Sequence, residues 1–128
     1  MERVAGIGGV FFRSRDSKAL TKWYEEHLGV PVDGDGYVIF PESRNTVWAP
    51  FMEGTDYWPA GKQGMVDYTV SDLDAMLAQL RAAGVEVDEK VEMVDGIGRF
   101  GWAVDPEGNR FELWEPAAPT QDPCAQIP

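Results

Sequence analysis

Apolar and polar positions recur along this chain with two periods, and the changes of period mark the elements. Residues 7–12 form an apolar run, interrupted by Gly8 and Gly9, that reads as a strand. After the polar residues 13–16, Leu20, Trp23, Tyr24, His27 and Leu28 follow the i, i+3, i+4, i+7, i+8 spacing of one helical face. Gly29 is placed to stop the turn, so a helix is expected over about Ser17–Leu28. Asp33-Gly34-Asp35-Gly36 concentrates turn residues, and residues 37–40 have the β-branched and aromatic content of a strand. Residues 46–51 predict another strand, placed at an edge because Pro50 has no N–H to give.

The pattern then restarts. Residues 64–70 alternate, Ser71 opens a capping box with Asp74, and Leu73, Met76, Leu77 and Leu80 continue on one helical face as far as Gly84. A strand is expected over 85–94, a turn at Gly96 and Gly98, and a strand over 100–104. Asp105-Pro106-Glu107-Gly108-Asn109 is a strong turn signal before a last strand over 110–115. Gly29-Val30-Pro31-Val32 recurs 55 positions later as Gly84-Val85-Glu86-Val87. The expectation is an α+β fold of two tandem βαβββ modules, about 5–52 and 63–116, in a single domain over 1–116. The tail 117–128 holds three prolines without period and reads as loose.

Composition narrows the function. The 128 residues are 44% hydrophobic and 12% aromatic, enough for a packed core and a lined pocket. A formal charge of −11 repels phosphate backbones and anionic lipid, so nucleic acid and membrane surfaces are excluded as partners. No apolar run approaches the roughly 20 residues of a membrane span, the opening Met1-Glu2-Arg3-Val4 lacks a secretory pattern, and the expected location is cytoplasmic. Cys124 is the one cysteine and His27 the one histidine. The serines have neither a nucleophile elbow nor a histidine base, and no glycine pair carries the lysine of a phosphate loop.

Two stretches, Gly8-Gly9-Val10-Phe11-Phe12-Arg13 with Trp23-Tyr24-Glu25-Glu26-His27-Leu28-Gly29-Val30, and residues 102–116 around Asp-Pro-Glu-Gly-Asn and Phe111-Glu112-Leu113, resemble the glyoxalase, bleomycin-resistance and extradiol-dioxygenase superfamily, the vicinal oxygen chelate fold. The likeness runs from about residue 5 to 116. It implies paired modules forming a curved mixed sheet around a cleft, usually in a homodimer. Metalloenzymes of the superfamily hold a divalent cation with four side chains, commonly His, Glu, His and Glu. Carried over by position, these fall on Gly9, on Trp48 or Ala49, on Met65 and on Glu112. Only Glu112 keeps a ligand type, so no metal or other cofactor is expected. His27, in the last helical turn, reads as a packing or dipole-stabilising residue.

Strand alternation directs Phe111 and Leu113 beneath the helices and turns Arg110, Glu112 and Trp114 to the cleft. The same parity brings Met65, Asp67 and Thr69 there from the second module, and Gly9, Phe11 and Arg13 from the first. With Trp48, Tyr57 and Trp58 these give aromatic walls with a few charged groups, the make-up of a small-molecule site. The candidate ligand-binding residues are Phe11, Arg13, Trp48, Met65, Asp67 and Trp114. Glu112, a carboxylate in apolar surroundings, must find a donor or take up a proton. Arg13 and Arg99 are candidate partners, and Glu112 is the one candidate catalytic residue, as a general base. Three readings follow: a metal-free member that binds a small organic ligand, a lyase, isomerase or dioxygenase with an atypical metal site or Glu112 as base, and a non-catalytic interaction domain.

Overall fold

The computed structural model describes residues 10, 12–40, 46–47 and 49–117. The architecture is α+β, and the chain divides into two compact units, Met1–Thr55 and Asp56–Pro128. Most of the strand expected over 7–12, and the tail beyond residue 117, lie outside the described residues.

The first unit holds α1, Ser17–Leu28, with the bounds its periodicity predicts. Asp16 caps it, its carboxylate accepting from Ala19 N at 3.0 Å, and Leu20 and Tyr24 are its buried face. Gly29, at φ 68°, adopts the left-handed conformation that ends the helix, and its N–H donates to Glu25 O. Asp33 then organises the turn, accepting at Oδ1 from Asp35 N and Tyr37 N.

The strand expected over 37–40 is reduced to one antiparallel bridge, Val32 to Val38, and the described residues of 46–51 form none. Tyr37, Ile39, Phe40 and Val47 are exposed. High β-propensity reflects fit to a half-buried pleated surface, and these side chains are exposed instead.

The second unit comprises β1 (Asp67–Thr69), α2 (Leu73–Ala82), β2 (Glu86–Val87), β3 (Glu92–Val94), β4 (Gly98–Val104) and β5 (Arg110–Pro116). Its sheet runs β1-β5-β4-β2, with β3 also on β4; β1 pairs parallel to β5 and the other pairs are antiparallel. The single strand expected over 85–94 is two, because residues 88–91 stand opposite only Gly101 and Trp102 of β4. That bulge is held by Asp88, whose N–H donates to Trp102 O and whose carboxylate accepts from Lys90 N.

The α2 cap is Asp72, not Ser71: its carboxylate accepts from Ala75 N at 3.0 Å, and Glu115 of β5 accepts from Leu73 N at 2.8 Å. Leu73, Leu77 and Leu80 are buried, as are Ala103, Phe111 and Leu113 of the sheet. Burying each of the larger side chains contributes about 1.5–3 kcal/mol. Gly101 admits the helix, since a Cβ there would stand 3.2 Å from Leu77 Cδ2.

The Asp105-Pro106-Glu107-Gly108-Asn109 turn aligns β4 with β5. Asp105, only 5% exposed, accepts from Glu107 N and Asn109 N at Oδ1 and from Asn109 Nδ2 at Oδ2, which satisfies a buried carboxylate within its own turn.

Candidate functional site

That register assembles the sheet face turned away from α2. Trp102 stands opposite Glu112 and Phe100 opposite Trp114, while β1 sets Asp67 beside Glu112 and Thr69 beside Trp114. The alternation expected from sequence is the one observed: Phe111 and Leu113 are buried, and their neighbours face the other way.

Glu112 is buried, and its Oε2 accepts from Trp102 Nε1 at 2.9 Å and from the Tyr57 hydroxyl. The Tyr57 ring meets Trp102 edge-on, with centroids 6.1 Å apart. The segment carrying Tyr57 is tied down: Trp58 Nε1 donates to Lys62 O, and Lys62 Nζ donates to Glu107 O in the β4–β5 turn. Arg110 and Lys90 place their cations 5.3 Å and 6.0 Å from the Trp102 ring centroid. Phe100 and Trp114 stack at 5.9 Å, and Trp114 Nε1 donates to Ile97 O.

Burial raises the Tyr57 phenol well above its ordinary value, and the bond to Glu112 and its charge add to the rise, so Tyr57 remains a donor. Asp67 is exposed as a residue, but its carboxyl end meets Glu112. Loss of water at that carboxyl, then the hydrogen bond to Glu112 and its charge, push Asp67 from the ordinary 3.8 up to about 8. Asp67 therefore keeps its proton at neutral pH and donates it to Glu112.

Of the expected site residues, Asp67, Glu112 and Trp114 lie together on this face. Met65 is half-buried just before β1, and Arg13 is exposed in the first unit ahead of α1. Phe11 and Trp48, like Gly9, lie outside the described residues. Arg99 is not the partner of Glu112: it points to the helix side and pairs with Asp74 at 2.7 Å. The donors are Tyr57, Trp102 and Asp67 instead. Trp102 had a readable signal, since it and Glu112 are equidistant from Glu107 in the turn. Tyr57 had none beyond its aromatic loop, 55 residues away from Glu112.

The residues do not fit the superfamily's divalent cation. Glycine and either Trp48 or Ala49 offer no ligand atom, Met65 offers only a thioether, and the Glu112 Oε2 is taken up by two donors. Among the described residues, no group of three His, Cys, Asp or Glu side chains is arranged to hold a metal ion. His27 is half-buried in the last turn of α1, its ring 5.1 Å from that of Trp23.

A family model, glyoxalase-like domain, matches residues 9–114. The chain belongs to the glyoxalase-like domain family. Among solved structures, this glyoxalase-like domain is similar to a member of the glyoxalase/bleomycin resistance protein/dioxygenase superfamily from Sphaerobacter thermophilus, at 21% identity, covering 87% of this chain and 97% of that one with a TM-score of 0.57. It is also similar to TnmS3, an antibiotic binding protein from a Streptomyces species, at 22% identity over 81% and 88% of the two chains with a TM-score of 0.50. A protein of unknown function from Agrobacterium tumefaciens gives 22% identity over 88% and 98%, also with a TM-score of 0.50. These likenesses show the shared fold. A comparison with curated proteins finds no match. No helix among the described residues is long and apolar enough to cross a membrane.

Proposed function

We propose that this glyoxalase-like domain binds a small organic ligand on the face of its sheet turned away from α2, without a divalent cation. The observation that carries the reading is the juxtaposition on one face of Phe100, Trp102 and Trp114 with the Asp67–Glu112 carboxyl pair. Aromatic surface around a few polar groups with shifted protonation is the usual composition of a small-molecule site. TnmS3, which shares the fold, is an antibiotic binding protein, consistent with such a role. Met65 remains a proposed contributor to this face, Phe11, Arg13 and Trp48 remain proposed ligand-binding residues of the first unit, and a homodimer is the proposed assembly.

Thermal-shift screening of the full chain against aromatic compounds of positive, neutral and negative charge tests the proposal. A ligand at one hundred times its Kd adds about 2.7 kcal/mol of stability. Stabilisation by at least one class, reduced in Trp114→Ala, is expected; a flat response to every class contradicts the reading.

The proton on Asp67 favours a second reading, acid–base catalysis on the bound compound. The reacting group is then the exposed Asp67, with Glu112 positioning it, because Glu112 is buried and engaged. Turnover abolished in Asp67→Asn with ligand affinity retained supports it, and unchanged turnover contradicts it.

A further inference from the structure

We propose that the Tyr57 hydroxyl and the Trp102 indole N–H take the place of the divalent cation of metal-dependent relatives, so that Glu112 anchors the segment carrying Tyr57 to the sheet instead of coordinating a metal. The inference concerns the metal position alone and holds for any ligand the face takes.

Three observations carry it. Glu112 is the one side chain of ligand type among the four carried-over positions, and its Oε2 is the acceptor for both donors. Trp102 is 2% exposed, so a cation that took Oε2 of Glu112 would displace a buried indole N–H and the Tyr57 hydroxyl from the acceptor they share. The donors are themselves fixed: Trp102 by the β4–β5 register, Tyr57 by its edge contact with Trp102, within a segment that Lys62 ties to Glu107 O. Tyr57, held by its hydroxyl, becomes a rigid aromatic wall beside Trp102, and Glu112 is a positioning residue.

The test titrates Mn2+, Ni2+ and Zn2+ into chelator-stripped full-length protein by calorimetry, wild type against Glu112→Gln. Indistinguishable titrations are expected. Saturable binding of one ion per chain, weakened tenfold or more by Glu112→Gln, overturns the proposal. A second readout is proton NMR of the Trp102 indole and the Tyr57 hydroxyl. A Tyr57 hydroxyl resonance protected from exchange is expected, lost in Tyr57→Phe and Glu112→Gln, with the Trp102 indole resonance moving in both variants. A Trp102 indole unmoved in Tyr57→Phe overturns the clamp, and that variant retains the ring should Glu112→Gln fail to fold. Neither readout uses an organic ligand, so failure of the clamp is distinguishable from failure of the binding reading.

Discussion

Replacing Asp67 with Asn removes a proton that the fold holds and leaves the rest of the site in place. In the native chain Asp67 binds its proton up to about pH 8, while its ordinary value is 3.8. Between those limits the folded state carries more protons than the unfolded state, so Asp67 contributes stability that is full below about pH 4 and is lost as pH rises through about 8. The full shift in a sealed site would correspond to about 5–6 kcal/mol at about 1.36 kcal/mol per unit. Asp67 is exposed enough for water to screen much of this, which brings the expected loss to about 2 kcal/mol. Asn carries no titrating proton and offers an amide N–H to Glu112. The assay is urea unfolding of both proteins, followed by tryptophan fluorescence from pH 5 to 9. The stability difference between Asp67→Asn and wild type should move in favour of the variant as pH rises, by about 1.5 kcal/mol across that range. A difference that stays constant from pH 5 to 9, or moves in favour of wild type, refutes the shared-proton account.

Other perturbations read the scaffold beneath the site. Gly98 sits at φ 136°, and a Cβ there would collide with Glu115 O and stand 2.9 Å from Ala117 N, so Gly98→Ala should cost at least about 2 kcal/mol in urea unfolding. Leu80→Ala, at a fully buried α2 position, should cost about 2–5 kcal/mol by the same measurement. Asp105→Ala removes the acceptor of three hydrogen bonds in the β4–β5 turn, and a loss of about 2–4 kcal/mol is expected, with Trp102 fluorescence perturbed as its pairing to Glu112 loosens.

Much of the scaffold was legible because its signals are local. Periodicity and Gly29 delimited α1, the Asp105-Pro106-Glu107-Gly108-Asn109 turn announced the β4–β5 hairpin, and alternation told Phe111 and Leu113 from Glu112 and Trp114. Ser71 and Asp72 both suit an N-cap, and only the backbone geometry selects Asp72. Of the strands expected over 37–40 and 46–51, the described residues form only the Val32–Val38 bridge and leave Tyr37, Ile39, Phe40 and Val47 exposed, which propensity does not reveal. The site was half legible. Glu112 stood out by type and position, but its donors depend on the parallel register of β1 with β5 and on a loop contact 55 residues away. A carboxylate in an apolar strand demands donors, and sequence alone does not say whether they are arginine, tyrosine or tryptophan.

The central claim is that the sheet face carrying Phe100, Trp102 and Trp114 takes a small organic ligand. Its most direct test follows the indole N–H resonances of Trp58, Trp102 and Trp114 in 15N-labelled protein while an organic compound found to stabilise the chain is titrated in. The account predicts saturable shifts at Trp102 and Trp114 with a Kd matching the stabilisation. A compound that binds and leaves both resonances unmoved contradicts it.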